Sequence, residues 1–277
     1  MSLQSRIQDV YPEFTQSEKQ LADYFLNHLQ EVSTSSAKDL AEKVGTSAPT
    51  IVRFSRTLGY SGFPALKMDI LMSEKSDVMD LTQELTENET VARLVSTMYS
   101  HRLATLDHVR GLIDEATTEK AVAALCKANT VYLCGIGGSS IVCQDFQQKL
   151  SRIGIRTIHV QDAHVMMTMM TGIQEGDVLV AVSYSGETKE VIETVRIAKE
   201  KNATVLSISQ LGKTSLNRLS DLQFYVPSEE NTIRAGAISS RDSSLFICDT
   251  IYLSLVSCHL EENRRVLQQT RKWTSRL

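Results

Sequence analysis

Beyond residue 129 the rhythm of the sequence changes, and this change restricts the fold more than any other feature. Five short runs rich in β-branched residues, at 130–134, 156–160, 178–183, 204–209 and 222–226, alternate with stretches of helical periodicity. Gly, Ser, Asn or Asp flanks each run. Short apolar runs of this kind fit strands buried on both faces, and the helical stretches between them are the crossovers that parallel strands require. The second half therefore reads as an α/β domain with a doubly wound, five-stranded parallel sheet.

The first half reads as helix. Leu3, Ile7 and Val10 keep helical spacing, Tyr11-Pro12 breaks it, and Thr15 with Glu18 forms a capping box ahead of the stripe Leu21, Phe25 and Leu29. The segment 73–89 is acidic and weakly periodic, as a linker would be, and a long helix is expected over 90–112 from Val91, Leu94, Val95, Met98, Leu103 and Leu106. The expected division is an all-α domain at 1–77, a linker with a long helix at 78–117, and the α/β domain at 118–277, whose charged tail, 261–276, is a terminal helix candidate.

Bulk properties fit two soluble domains. A length of 277 residues with 42% hydrophobic and 22% charged side chains is enough for two cores. The five cysteines all lie beyond residue 125 and form no C-x-x-C pair, which suits a reducing compartment. The start has no basic head followed by an apolar stretch, and the longest apolar runs fall well short of the roughly 20 residues needed to span a bilayer. A cytoplasmic protein without a membrane partner is expected. Net charge is -4 overall, and residues 1–77 carry 8 basic and 10 acidic side chains. Any surface for a polyanion must therefore be local.

Such a surface is visible in AKDLAEKVGTSAPTIVRFSRTLGY, residues 37–60. Leu40, Ala41 and Val44 form an inner face, Gly45 permits a sharp turn, and Ser36 and Ser47 stand where N-caps belong. On the second helix Ile51, Phe54, Ser55 and Leu58 recur at inner spacing, with Gly59 as the stop, so Pro49, Thr50, Arg53, Arg56 and Thr57 face outward. Ser47, Thr50 and backbone N–H groups suit phosphates and bases, while Arg53 can present a planar fork to guanine. Lys38, Lys43 and Lys67 are candidates for phosphate contacts. Two surface helices with solvated arginines fit the same local pattern. The motif A-x-x-V-G-x-S-x-x-T-I-V-R-F-x-R-x-L-G-Y-x-G-F, from Ala41 to Phe63, resembles the signature of the RpiR-family helix-turn-helix. The resemblance implies a double-stranded DNA operator as partner, read by Lys38, Ser47, Pro49, Thr50, Arg53 and Arg56, and places Lys67 near the DNA backbone.

In the second half, the first strand run ends in Cys134-Gly135-Ile136-Gly137-Gly138-Ser139-Ser140, followed by a helix with Ile141, Val142, Phe146 and Leu150 expected on its inner side. A glycine loop between strand and helix lets backbone N–H groups meet an anion, although Ser140 replaces the last glycine of a dinucleotide fingerprint and a plain turn reads the same way. The third run ends in Ser183-Tyr184-Ser185-Gly186-Glu187-Thr188. Strand ends converge at the switch point of a doubly wound sheet, so Ser139, Ser140, Ser183, Ser185 and Thr188, with Gly137 and Gly138, are candidates for one phosphate site. Helix capping is the alternative role for Ser185 and Thr188.

The pair G-x-G-x-S and S-x-S-G-E-T resembles the SIS domain of sugar isomerases and phosphosugar regulators over about 118–260. Ala237-Ile238-Ser239-Ser240-Arg241 resembles the SSR segment of RpiR regulators, and the family places His164 facing a sugar. Met166, Met167, Met169 and Met170 beside it read as packing. These resemblances imply a DNA-binding repressor of sugar or amino-sugar catabolism, without cofactor, metal or catalysis, acting as a homodimer or higher oligomer. Its phosphosugar effector is expected to be N-acetylmannosamine 6-phosphate or N-acetylmuramic acid 6-phosphate, with His164, Glu187, Ser240 and Arg241 on the sugar. A SIS-fold isomerase or lyase using Glu187, His164 and Asp162 is the alternative. A nucleotide sensor built on Asp162 is a third reading.

Overall fold

The computed structural model describes residues 7, 11, 14–58, 60, 62–74, 87–212, 214–227 and 237–275. Leu3, Val10, Gly59, Arg276 and most of the expected linker lie outside them. The chain forms one compact unit up to Leu112 and a second built on Ile113–Val226 and the C-terminal helices.

In the first unit, α1 (Gln16–Asn27) opens on the expected capping box. The Glu18 N–H donates to Thr15 Oγ1 (3.4 Å), and the Thr15 N–H to Glu18 Oε2 (3.0 Å). The helix stops before Leu29, because His28 leaves helical geometry and stacks on Tyr24 with ring centroids 4.4 Å apart. Leu29 instead opens a short second helix, α2 (Leu29–Thr34), and is half-buried. Then α3 (Ala37–Val44), capped by Ser36, ends at Gly45 in the left-handed region (φ 75°), and α4 (Ala48–Thr57) starts on Ser47. Leu21, Phe25, Leu40, Ile51 and Phe54 close a core with Phe63 and Leu66 of α5 (Phe63–Glu74). The long helix α6 (Val91–Leu112) packs on α2 and α5.

The second unit starts with α7 (Glu115–Lys127) and continues through β1 (Val131–Gly135), α8 (Gly138–Arg152), β2 (Thr157–Ile158), α9 (Ala163–Met169), β3 (Val178–Val182), α10 (Lys189–Glu200), β4 (Thr204–Gln210), α11 (Ser215–Leu219) and β5 (Leu222–Val226). Two helices, α12 (Ile238–Cys258) and α13 (Leu260–Thr274), complete it. All pairings are parallel, in the order β2-β1-β3-β4-β5, with Val131 beside Val178 and Val178 beside Thr204. Every residue of β1 and β3 is buried, as expected for central strands.

Two details depart from the sequence expectation. The edge strand β2 keeps only Thr157 and Ile158 of the expected run, both paired with β1. On α8 the buried stripe is Val142, Cys143, Phe146 and Leu150, which leaves Ile141 one step off the seam and 51% exposed.

Candidate functional site

In the first unit, α3, the turn at Gly45 and α4 form a helix-turn-helix. Ile51, Phe54 and Ser55 face the core, with Ser55 satisfied by donating to the Ile51 carbonyl at 2.9 Å. That rotation leaves Ser47, Pro49, Arg53, Arg56 and Thr57 exposed and Thr50 half-buried, on one face as the periodicity predicts. Ser47 Oγ and Thr50 Oγ1 share a hydrogen bond of 2.8 Å. Arg53 lies near the first turn of α1. The Thr15 capping bonds, and then the Arg53 charge, hold the Glu18 carboxyl below its ordinary pKa. Lys38 is exposed on the first turn of α3.

The other two lysines are otherwise engaged. Lys43 forms an ion pair with Glu31. Lys67 is only 7% exposed, donates from Nζ to the Ser35 carbonyl at 3.2 Å, and stands 5.5 Å from the centroid of the Phe63 ring. It thus sets a positive charge at the carboxyl end of α2, where helix carbonyls lack partners. The sequence signal for this was the spacing of four between Phe63 and Lys67 on one helix face.

In the second unit, a crevice opens at the carboxyl ends of β1 and β3, between the strands where the winding reverses. Its first side is the glycine loop. A Cβ on Gly135 would meet the Ser139 carbonyl oxygen at 2.8 Å, and Gly137 adopts φ 60°, ψ -123°, so glycine at both positions lets α8 start directly against the strand end. The second side is Tyr184, Ser185 and Thr188 ahead of α10, and the third is Ala237, Ser240, Arg241 and Ser244 at the start of α12.

Most helices away from the crevice begin on a side-chain cap, α2 with His28 at its N-cap being an exception. Side chains cap α1, α3, α4, α7, α9 and α11, through Thr15, Ser36, Ser47, Asp114, Asp162 and Thr214 respectively. The three helices that start at the crevice, α8, α10 and α12, have no side-chain cap. Thr188 stands at the N-cap of α10 but shares its hydroxyl with Ser183 Oγ at 2.9 Å instead. On α8 the Ser139 and Ser140 N–H groups already donate to the Ile136 and Gly137 carbonyls, at 3.2 and 3.0 Å, so the remaining first-turn N–H groups and the positive ends of three helix dipoles point at one crevice, beside the Arg241 guanidinium, which pairs with Asp242 at 3.7 Å. Such an arrangement attracts a compact anion.

The remaining predicted residues are placed differently. Ser183, 3% exposed, sits behind Thr188. Ser140 is also buried and bonds His159 Nε2 at 3.2 Å. His159 Nδ1 donates to the Leu133 carbonyl at 2.9 Å, so Nε2 is the acceptor and the Ser140 hydroxyl donates to it. His164 is exposed on the first turn of α9, while Asp162 caps that helix by accepting from the Val165 N–H. Glu187 is bound outside the crevice. Its Oε1 accepts from the Ser215 N–H at 2.7 Å, and this bond, with the Arg218 charge, lowers its pKa. Sequence reasoning missed Tyr184, His159 and Ser244. The first lies inside the S-x-S motif, and Ser244 follows Ser240 by one helical turn, so both were accessible from spacing. Nothing in the sequence ties His159 to Ser140.

Comparison with known proteins identifies both domains. Residues 1–77 match the family model of the helix-turn-helix domain of the rpiR family, and residues 124–254 match that of the SIS domain. An uncharacterized HTH-type transcriptional regulator of Caldanaerobacter subterraneus subsp. tengcongensis is 32% identical over 95% of this chain and 94% of its own length. The structure of Vibrio vulnificus NanR complexed with ManNAc-6P superposes with a TM-score of 0.62 at 26% identity, covering 98% of this chain and 97% of that one. The sugar isomerase domain of an RpiR transcription factor from Sphaerobacter thermophilus shares the fold, with a TM-score of 0.59 at 18% identity over 65% of this chain and 99% of that one. With a reading helix on one unit and an anion-attracting crevice on the other, the chain belongs to the rpiR family of HTH-type transcriptional regulators, a helix-turn-helix domain joined to a SIS domain.

Proposed function

We propose that this regulator is a repressor of sugar or amino-sugar catabolism whose operator grip is controlled by a phosphosugar held in the SIS crevice. The observation that carries the reading is the meeting of three helix N-termini without side-chain caps, those of α8, α10 and α12, beside Arg241. A dianionic phosphomonoester satisfies those N–H groups together. Gly137, Gly138, Ser139, Ser185 and Thr188 hold the phosphate, and Ser183 and Ser140 act from behind, through Thr188 and His159. Tyr184, Ser240, Arg241 and Ser244 then meet the sugar. Lys38, Ser47, Pro49, Thr50, Arg53 and Arg56 contact DNA, and Lys67 serves the fold. The functional division follows residues 1–77, 78–117 and 118–277.

The effector we favour is N-acetylmannosamine 6-phosphate, with N-acetylmuramic acid 6-phosphate next, supported by the ManNAc-6P complex of the Vibrio relative. The crevice binds rather than converts its ligand in this reading, since of the acid–base candidates Asp162 and Glu187 are occupied in capping α9 and holding α11, and His164 is exposed on α9 and is not among the residues lining the crevice. A homodimer is supported by the apolar stripe Val91, Val95, Tyr99 and Leu103 exposed along α6, and by exposed Ile141 and Leu253 on α8 and α12. Isothermal titration of amino-sugar, hexose and pentose phosphates, with product analysis of each mixture, tests the assignment. Tightest binding of an N-acetylated hexosamine 6-phosphate, recovered unchanged, is expected. Equal or tighter binding of glucose 6-phosphate or a pentose phosphate overturns the effector, and turnover of any of them overturns the non-enzymatic reading.

A further inference from the structure

At the end of the second unit opposite the crevice, the helices α7 and α12 pack together, and each carries an exposed cysteine at that end, close enough for Cys258 to act on the Cys126 thiol. Cys126 lies in the last turn of α7, just ahead of β1, and Cys258 is the final residue of α12. Both stand on fixed backbone. After Cys258 the chain turns by 110° into α13, and the buried Asn263 side chain holds this corner by donating from Nδ2 to the Leu255 (3.1 Å) and Val256 (3.2 Å) carbonyls. The Asn129 N–H, just past α7, is fixed to the Gly176 carbonyl at 3.0 Å. The other three cysteines, Cys134, Cys143 and Cys248, are buried.

We propose that Cys126 and Cys258 are a redox modification site, closing to a reversible intramolecular disulfide by exchange with a low-molecular-weight disulfide such as oxidised glutathione. The Cys258 thiolate attacks one sulfur of the reagent, forming a mixed disulfide and releasing one small thiolate. The Cys126 thiolate then attacks the Cys258 sulfur, closing the protein disulfide and expelling the second small thiolate. The two protons from the protein thiols end on the two released small thiols, and the electron pair lost by the protein reduces the reagent. Partial burial, and then the adjacent Cys258 thiol, push Cys126 above its ordinary pKa of 9.0. It is therefore the resolving thiol, and closure speeds up as pH rises. Among the described residues no third His, Cys, Asp or Glu completes a set able to hold a metal ion, which favours thiol exchange over metal binding at the pair.

The bond encloses residues 127–257, and with them all five strands. Loops of that length lose the most chain entropy when cross-linked, so the sensor unit gains up to about 10 °C in melting temperature. The crevice lies at the other end of the strands and keeps its ligand affinity.

The full-length protein is incubated with oxidised glutathione, alkylated without denaturation, digested and mapped by mass spectrometry, alongside Cys126→Ser and Cys258→Ser. Expected in the wild type is a cross-linked peptide joining Cys126 to Cys258, two hydrogens lighter, cleaved by dithiothreitol and raising the melting temperature. Cys126→Ser is expected to stop at a glutathione adduct on Cys258, and Cys258→Ser to give no protein disulfide. A wild type that retains glutathione on Cys258, links two chains through it, or remains reduced overturns the proposal.

Discussion

Replacing Thr188 by valine keeps the shape of the side chain and removes one oxygen, and the structure says what that oxygen does. It shares a 2.9 Å hydrogen bond with Ser183 Oγ, which is 3% exposed, and it belongs to a residue lining the crevice. Thr188→Val therefore strands a buried hydroxyl, at a cost of about 1–3 kcal/mol in folding. If Thr188 also donates to the ligand's phosphate, losing a hydrogen bond to a charged group is worth about 1.5–3 kcal/mol, which weakens binding by about 10- to 150-fold. Ser183→Ala removes the other partner of the pair, yet leaves the Thr188 hydroxyl free to turn toward the phosphate. It should destabilise by less, because that hydroxyl reaches the open crevice, and weaken binding only a few-fold. The double variant should be more stable than the sum of the singles predicts, with a coupling of about 1–2 kcal/mol, since neither hydroxyl is then left alone. Calorimetric unfolding gives stability, with the ligand-shifted transition identifying the sensor unit, and isothermal titration gives affinity. Equal loss of affinity in Ser183→Ala and Thr188→Val, or no loss in either, would refute the assignment of Thr188 as the phosphate contact and Ser183 as its support.

On the DNA side, Arg53→Ala and Arg56→Ala should each weaken operator binding by about 1–3 kcal/mol in gel-shift titration at fixed salt, with phosphosugar affinity unchanged; undiminished operator binding removes α4 as the reading helix. Lys38→Ala should lower the salt slope of DNA binding by about one without changing stability, whereas Lys67→Met should lower the stability of the first unit by about 2 kcal/mol through the lost Ser35 and Phe63 contacts, and the opposite pattern would show that Lys67 serves DNA. The Thr15 bonds and the Arg53 charge depress the Glu18 pKa, so its contribution is complete above its ordinary pKa of 4.5 and is lost as pH falls through the lower folded value. Glu18→Gln should flatten acid unfolding of the first unit in that range, and an unchanged acid profile would remove the capping box as its cause.

Much of this protein is legible in local sequence. The five strands, the capping box at Thr15 and Glu18, the caps Ser36 and Ser47 and the turn at Gly45 follow from short-range rules, because each depends on residues within one or two helical turns or on the burial of both faces of a strand. The outward face of α4 follows as well, since a period of 3.6 fixes which side chains oppose Ile51 and Phe54. Tertiary packing decided the rest. Periodicity gives the width of a buried stripe but not the rotation of a helix on its neighbours, so Ile141 fell outside a seam made by Val142, Cys143 and Phe146. Residue type gave hydroxyls and charges but not their partners. Glu187 went to the Ser215 amide, Lys67 to the Ser35 carbonyl, and Ser140 to a histidine on the neighbouring strand segment, each across a distance along the chain that no local pattern encodes. The crevice itself has the same origin. Nothing in the separate beginnings of α8, α10 and α12 says that they meet, and only the strand order, which sets β1 beside β3 and brings α12 back against α8, gathers three helix ends without side-chain caps around one crevice.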